Sequence, residues 1–178
     1  EADLILKFIT DEGYVYSAIA KSALKSKKRF GGGVLEPTHF VTLGLNRGFT
    51  SESERLPVLN EANLVDDFRG LKTDYDRLAV ALHMVKVVGI VVREGDPHRE
   101  VFDLLGNALR AAETSSNPNL LKIQFDLKLL HLQGVLPPES IHSELLRQPV
   151  REHNQITLAT DVSRILRHQV DLILNAYL

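Results

Sequence analysis

Cysteine is absent from the 178 residues of this chain. Its absence excludes disulfides, thiolate zinc sites, iron–sulfur clusters and a cysteine nucleophile within the sequence. Long apolar runs are missing as well. The longest candidate, residues 85–92, is interrupted by Lys86 and Gly89, and it falls short of the roughly 20 residues that a membrane span needs. We therefore expect a cytoplasmic protein without membrane association.

An excess of charge of one sign is also missing, since 21 basic residues stand against 23 acidic ones and the net charge is −2. A protein that is coated in nucleic acid carries a basic field over much of its surface, so any nucleic-acid site here has to be local. Hydrophobic residues make up 44% of the chain, which is typical of a globular protein with a core.

The first third of the chain has the pattern of short strands. Apolar alternation and β-branched or aromatic residues predict four of them, at residues 3–9, 14–20, 34–45 and 56–65. The turn signal at residues 11–13 joins the first two strands into a hairpin. Pro37 places the third strand at an edge or a bulge, because proline donates no backbone hydrogen bond. The basic residues 21–30 lack alternation and are predicted to form a loop.

From residue 74 onward the apolar residues recur at helical spacing. Asp96 and Asn117, each followed by a proline, are predicted N-caps of two of the helices. Helices are expected at residues 74–93, 97–112, 118–132 and 139–146, and from residue 160 onward. The sequence thus predicts an α+β fold, in which a small β-barrel or sandwich at residues 1–70 is followed by a helical domain at residues 71–178.

The densest functional signal is a cluster of five cations within nine residues and without an acid, formed by Lys21, Lys25, Lys27, Lys28 and Arg29. Exposed on a loop, such side chains can hold DNA phosphates, with Arg47 nearby. Phe30 is predicted to offer a ring on which a base stacks. Five neutralised phosphates correspond to a log-affinity slope against log salt of roughly −3.5 on single strands. The alternative is a solvated run of charge on a mobile loop.

No pattern of catalysis or metal binding accompanies this cluster. Residues 31–33 are three glycines without the Lys-Ser/Thr of a P-loop, and they are expected to form a flexible turn. The seven histidines have no ligand spacing, and nothing marks a nucleophile elbow. We expect no catalytic centre, no metal and no cofactor.

A second candidate site lies on the helix at residues 120–132. Lys122 and Lys128 flank this apolar helix, which contains Phe125. Cations beside an apolar groove suit a partner peptide that ends in aromatic residues and a carboxylate. The alternative is a pair of lysines that extend their stems along an ordinary core helix.

Several motifs, taken in order and spacing, resemble the bacterial RecO family of recombination mediators. The similarity is firm over residues 1–135 and looser beyond. Its pieces are residues 1–13 (EADLILKFITDEG), 18–23 (AIAKSA), 25–30 (KSKKRF), 33–38 (GVLEPT), 101–105 (VFDLL) and 125–134 (FDLKLLHLQG).

The resemblance implies an N-terminal OB-fold, a helical C-terminal domain and a non-enzymatic role at the nucleoid. It implies binding of single-stranded and double-stranded DNA, and strand annealing. Its partners would be RecR and the acidic tail of single-strand DNA-binding protein, and RecA would be loaded indirectly. Lys122, Phe125 and Lys128 would receive that tail.

Two departures from the family qualify this expectation. Many relatives carry a four-cysteine zinc module, whereas this chain has no cysteine and only a short region at residues 136–157, so we expect a zinc-free variant. The first strand of the family would precede Glu1, so we expect the barrel to be incomplete at its N-terminus.

Two rival functions follow from the same residues. A protein-only adaptor would use the β module to bind a protein partner rather than DNA, and the net charge of −2 favours it. An enzyme would need a polar pocket that the sequence does not reveal. Salt-sensitive binding to an oligonucleotide separates the first rival from a DNA-binding protein.

Overall fold

The computed structural model describes residues 3–46, 56–137 and 143–177. Four strands come first: β1 (Leu4–Ile9), β2 (Val15–Ala20), β3 (Phe40–Leu45) and β4 (Leu59–Asp66). A one-turn helix, α1 (Lys27–Phe30), lies between β2 and β3. The larger helices follow the strands and are α2 (Tyr75–Val91), α3 (Arg99–Ala112), α4 (Pro118–Leu132), α5 (Ser143–Arg147) and α6 (Thr160–Asn175). The predicted α+β class is confirmed.

The described strands form two antiparallel pairs rather than one closed barrel. β1 pairs with β2, with Leu4 opposite Ala20 and Ile9 opposite Val15, as the hairpin prediction required. β3 pairs with β4 through a register that shifts twice. A single parallel bridge from Ile19 to Val58 links the two pairs.

One of the two predicted helix caps, Asn117, is confirmed, and a further cap lies at Asp74. The Asp74 carboxylate accepts a hydrogen bond from the backbone N–H of Arg77 at 3.0 Å and begins α2. Asn117 does the same for Leu120 at 3.1 Å, with Pro118 as the first residue of α4. The predicted start of α3 at Pro97 with Asp96 as its cap is wrong, because the helix begins at Arg99.

Two predictions in the β region are also wrong. The strand expected at residues 34–45 begins only at Phe40. The chain before it turns, and Thr38 adopts a φ of +77°. The loop expected at residues 21–30 contains α1, because the backbone N–H of Phe30 bonds to the carbonyl of Ser26 at 3.0 Å.

Two hydrophobic cores lie among the described residues. The larger core surrounds α4, which is buried on more than one side, and includes residues of α2, α3 and α6. The smaller core lies among the strands and consists of Ala20, Ala23, Phe30, Val34, Leu59 and Ala62. Burial of apolar surface at about 25 cal/mol per Å² is the main stabilising contribution of both cores.

The β1–β2 hairpin is docked on the helices as well as on the strands. Val15 belongs to the larger core. At the tip of the hairpin, the carbonyl of Gly13 accepts a hydrogen bond from the backbone N–H of His98 at 3.1 Å. The bond holds His98 just before α3, where its φ of −124° and ψ of 66° lie outside the helical region, so the helix begins at the next residue, Arg99. Lys7 Nζ donates to the carbonyl of Gly89 at 2.6 Å.

No helix in the described part of the chain is long and apolar enough to cross a membrane.

Candidate nucleic-acid interface

The lysine segment, residues 21–29, follows β2 directly and is a compact turn. Ser22 adopts a φ of +53°, and its backbone N–H donates to the Asp3 carboxylate at 2.7 Å. The backbone N–H groups of Lys25 and Ser26 both bond to the carbonyl of Ser22 at 3.0 Å. These bonds satisfy the backbone locally, so the segment has a defined shape, in contrast to the mobile loop of the alternative interpretation.

Two apolar side chains anchor this turn in the smaller core. Ala23 and Phe30 are each 7% exposed. The prediction that Phe30 offers a ring for base stacking is therefore wrong, because a ring must present a face to the ligand. The buried Phe30 side chain instead anchors the end of the lysine segment in the smaller core.

The Arg29 side chain forms its hydrogen bonds within the lysine segment. Its Nη2 donates to the carbonyl of Lys21 at 2.8 Å, its Nε donates to Ser26 Oγ at 3.0 Å, and its guanidinium carbon lies 5.2 Å from the centre of the Phe30 ring. The side chain is half-buried. Arg29 thus holds the two ends of the turn together, which is a positioning role rather than the phosphate contact predicted for it.

The remaining four cations point outward. Lys21, Lys25, Lys27 and Lys28 are exposed. Within residues 3–46, 56–137 and 143–177, no acidic side chain lies within ion-pair distance of them. Other lysines differ: Lys72, for example, pairs with Glu36 at 2.8 Å. Four exposed ammonium groups on one turn form a local concentration of positive charge on a protein of net charge −2.

The glycines after this segment form a turn, as predicted. Residues 31–33 form a short 3₁₀ turn in which Gly32 and Gly33 adopt positive φ values of 69° and 71°. Arg47, the remaining predicted DNA-binding residue, lies outside the described residues.

The second predicted site does not form as expected. Phe125 is 0% exposed, so the prediction that it lines an accessible groove is wrong. Lys128 Nζ donates to the carbonyl of Leu146, and burial lowers the pKa of Lys128. Lys122 is bound between the carboxylates of Asp126 at 3.1 Å and Asp171 at 3.5 Å. These side chains hold α4 to its neighbours.

Two buried polar networks were not predicted. The Asp126 carboxylate is fully buried and lies 2.8 Å from His83 Nε2 as well as next to Lys122. His153 is 1% exposed; its Nε2 lies 2.6 Å from Ser115 Oγ and its Nδ1 lies 2.8 Å from the carbonyl of Val150. The i, i+4 spacing of Lys122 and Asp126 was a signal available in the sequence, whereas the histidine contacts depend on tertiary structure.

Burial lowers the pKa of His153, against a smaller opposite effect of its bond to Val150. A lowered pKa in the folded state favours neutral histidine, so the free energy of unfolding should be highest above the ordinary pKa of about 6.5 and fall as the pH drops below it. The slope is at most about 1.4 kcal/mol per pH unit. Urea denaturation between about pH 7.5 and pH 5 measures it, with His153→Gln as the control that lacks the titrating ring. Identical pH slopes in the two proteins would contradict this assignment.

In the described part of the chain, no group of three or more His, Asp and Glu side chains could hold a metal ion.

A family model and several known proteins that are similar to this chain carry the same family name, RecO or recombination protein O. A family model described as "Recombination protein O C terminal" matches residues 72–142. A protein named "DNA repair protein RecO" from Maridesulfovibrio salexigens is 31% identical over 141 residues, 79% of this chain and 56% of the relative. One of the same name from Rubrobacter xylanophilus is 35% identical over 138 residues, 77% of this chain and 53% of the relative.

Coverage is wider in a third relative with that name, from Desulfosudis oleivorans, which is 30% identical over 167 residues, 92% of this chain and 62% of the relative. The chain spans a little over half the length of these three relatives.

Proposed function

The chain belongs to the RecO family of DNA repair proteins, and we propose that it is a recombination mediator whose lysine segment holds the phosphates of single-stranded DNA. The observation that carries the proposal is the set of four exposed lysines on one ordered turn, without an acidic partner in the described parts of the chain. Ammonium groups that are already in solvent replace condensed counterions on DNA without a desolvation cost inside a core.

The β region at residues 1–70 is the DNA-binding half in this proposal, and the helical region at residues 71–178 supports it. The hairpin that leads into the lysine segment is fixed to the helices at Gly13 and Lys7. The segment is therefore presented from a rigid base. Such preorganisation lowers the entropy lost on binding.

The more specific functions are proposed from membership of the RecO family. They are binding of double-stranded as well as single-stranded DNA, annealing of complementary strands, partnership with RecR and single-strand DNA-binding protein, and indirect help in loading RecA at the nucleoid. The proposed role is non-catalytic. Because Lys122, Phe125 and Lys128 are engaged within the helical core, we do not place a partner tail on them.

The affinity of the chain for a single-stranded oligonucleotide across a salt series tests the proposal. Four lysines that neutralise four phosphates give a log-affinity slope of roughly −2.8 against log salt. This is shallower than the slope of about −3.5 for five phosphates, because Arg29 is occupied within the turn. Binding that does not respond to salt, or no binding at low salt, would contradict the proposal and favour the protein-only adaptor.

A further inference from the structure

Three aromatic rings lie next to each other on the β1–β2 hairpin. Phe8 and Tyr16 are directly opposite in the register, with ring centres 6.2 Å apart. Tyr14 and Tyr16 are stacked, with ring centres 5.8 Å apart and an angle of 19° between the rings. Tyr14 and Tyr16 share one face because alternate residues of an extended chain point the same way.

These rings are only half-buried, and Phe8 belongs to neither hydrophobic core. Cross-strand contact between two rings contributes about 0.2–1 kcal/mol to a hairpin, which explains their pairing. The pairing leaves part of each ring accessible to solvent, and this accessible surface is what a flat ligand would contact.

The lysine segment directly follows the hairpin that carries the aromatic rings. Lys21 follows Ala20 at the end of β2, and Tyr16 is five residues before Lys21. At about 3.3 Å per residue, the two features are roughly 16 Å apart along the strand. This length suits a few nucleotides, in keeping with the roughly 4–16 nucleotides that a single-strand-binding β module covers.

We propose that Phe8 and Tyr14, with Tyr16 between them, form a stacking platform for unpaired bases of a DNA strand whose phosphates are held by the lysine segment. Every base has a π face, so stacking tolerates any sequence but requires that the bases are unpaired. The platform would therefore make the site bind single strands more tightly than double strands. The inference rests on the proposed function and extends it from the phosphates to the bases, because lysine contacts with phosphates do not distinguish paired from unpaired bases.

The test compares two single-stranded oligonucleotides of equal length, one of thymidines and one of abasic sites. Both carry the same phosphates, so only the bases differ. The 178-residue chain is expected to bind the thymidine strand at least about fivefold more tightly, since stacking contributes about 1 kcal/mol or more per base. This comparison needs no variant and is therefore independent of any folding defect.

Variants of the hairpin rings then test whether these rings cause the difference in affinity between the two strands. Phe8→Leu combined with Tyr14→Leu removes two rings and keeps apolar bulk, and it should bring the affinity ratio of the two strands close to one. Tyr14→Phe keeps the ring and should keep the ratio. Tyr75→Leu is the matched control, because Tyr75 is 85% exposed on α2, away from the hairpin.

The outcomes separate the two proposals. A ratio of one in the wild-type chain, or an unchanged ratio in the folded Phe8→Leu/Tyr14→Leu variant, would overturn the platform while leaving phosphate binding by the lysines intact. Lysine variants should weaken the binding of both strands by a similar factor and preserve the ratio. Failure of the wild-type chain to bind either strand at low salt would overturn the proposed function and the platform together.

Discussion

Reversing the charge of Lys25, Lys27 and Lys28 to glutamate is expected to weaken single-stranded DNA binding by about 100-fold or more at low salt. Each exposed lysine–phosphate pair is assigned up to about 1 kcal/mol, so loss of three pairs corresponds to roughly 150-fold. The new carboxylates add repulsion. Fluorescence anisotropy with a labelled oligonucleotide measures the change.

The matched control is a triple variant on the helical part that changes the net charge by the same amount. Lys86, Arg93 and Arg167 are exposed on the helical part and form no ion pair with any residue in the described ranges. Their triple reversal to glutamate should reduce affinity only through the weak, salt-screened field of the whole protein. Equal losses of affinity in the two triple variants would mean that binding depends on the net charge of the protein and not on the lysine segment.

Gly13→Ala is expected to be the most destabilising of the single substitutions considered. A Cβ at Gly13 would lie 2.2 Å from the backbone nitrogen of Arg99 and from the carbonyl carbon of His98, and Gly13 adopts a φ of +94°. Left-handed backbone costs a non-glycine residue about 1–2 kcal/mol, and overpacking adds about 1–3 kcal/mol. A total of about 2–5 kcal/mol corresponds to a fall in Tm of roughly 5–20 °C for a chain of this size.

Gly32→Ala is the control that separates these two contributions. Gly32 also adopts a positive φ, of 69°, but nothing lies within 4 Å of the position of its Cβ. This variant should lose only the backbone contribution of about 1–2 kcal/mol. Thermal denaturation of both variants gives the difference, and equal losses would contradict the close docking of the hairpin tip against His98 and Arg99.

Local sequence signals predicted most of the secondary structure. The hairpin and the α4 start at Asn117-Pro118 depend on alternation, turn residues and caps, which act over a few residues. The start of α3 was missed because His98 has a non-helical backbone, with φ −124° and ψ 66°, and bonds to the distant carbonyl of Gly13. No property of Asp96 or Pro97 reveals that contact.

The candidate site was predicted in its charge but not in its geometry. The count of lysines was visible in the sequence, whereas the burial of Phe30 and the internal bonds of Arg29 depend on how the turn folds onto the smaller core. The aromatic rings could have been found. Once residues 3–9 and 14–20 are paired as a hairpin, alternation places Tyr14 and Tyr16 on one face.

In the proposed function, the exposed lysines of residues 21–29 contact DNA phosphates. The most direct measurement compares the salt dependence of single-strand binding in the wild-type chain with that in a Lys25→Gln, Lys27→Gln, Lys28→Gln variant. Loss of three of four phosphate contacts should change the log–log slope from roughly −2.8 to about −0.7. Equal slopes in the two proteins would contradict the claim.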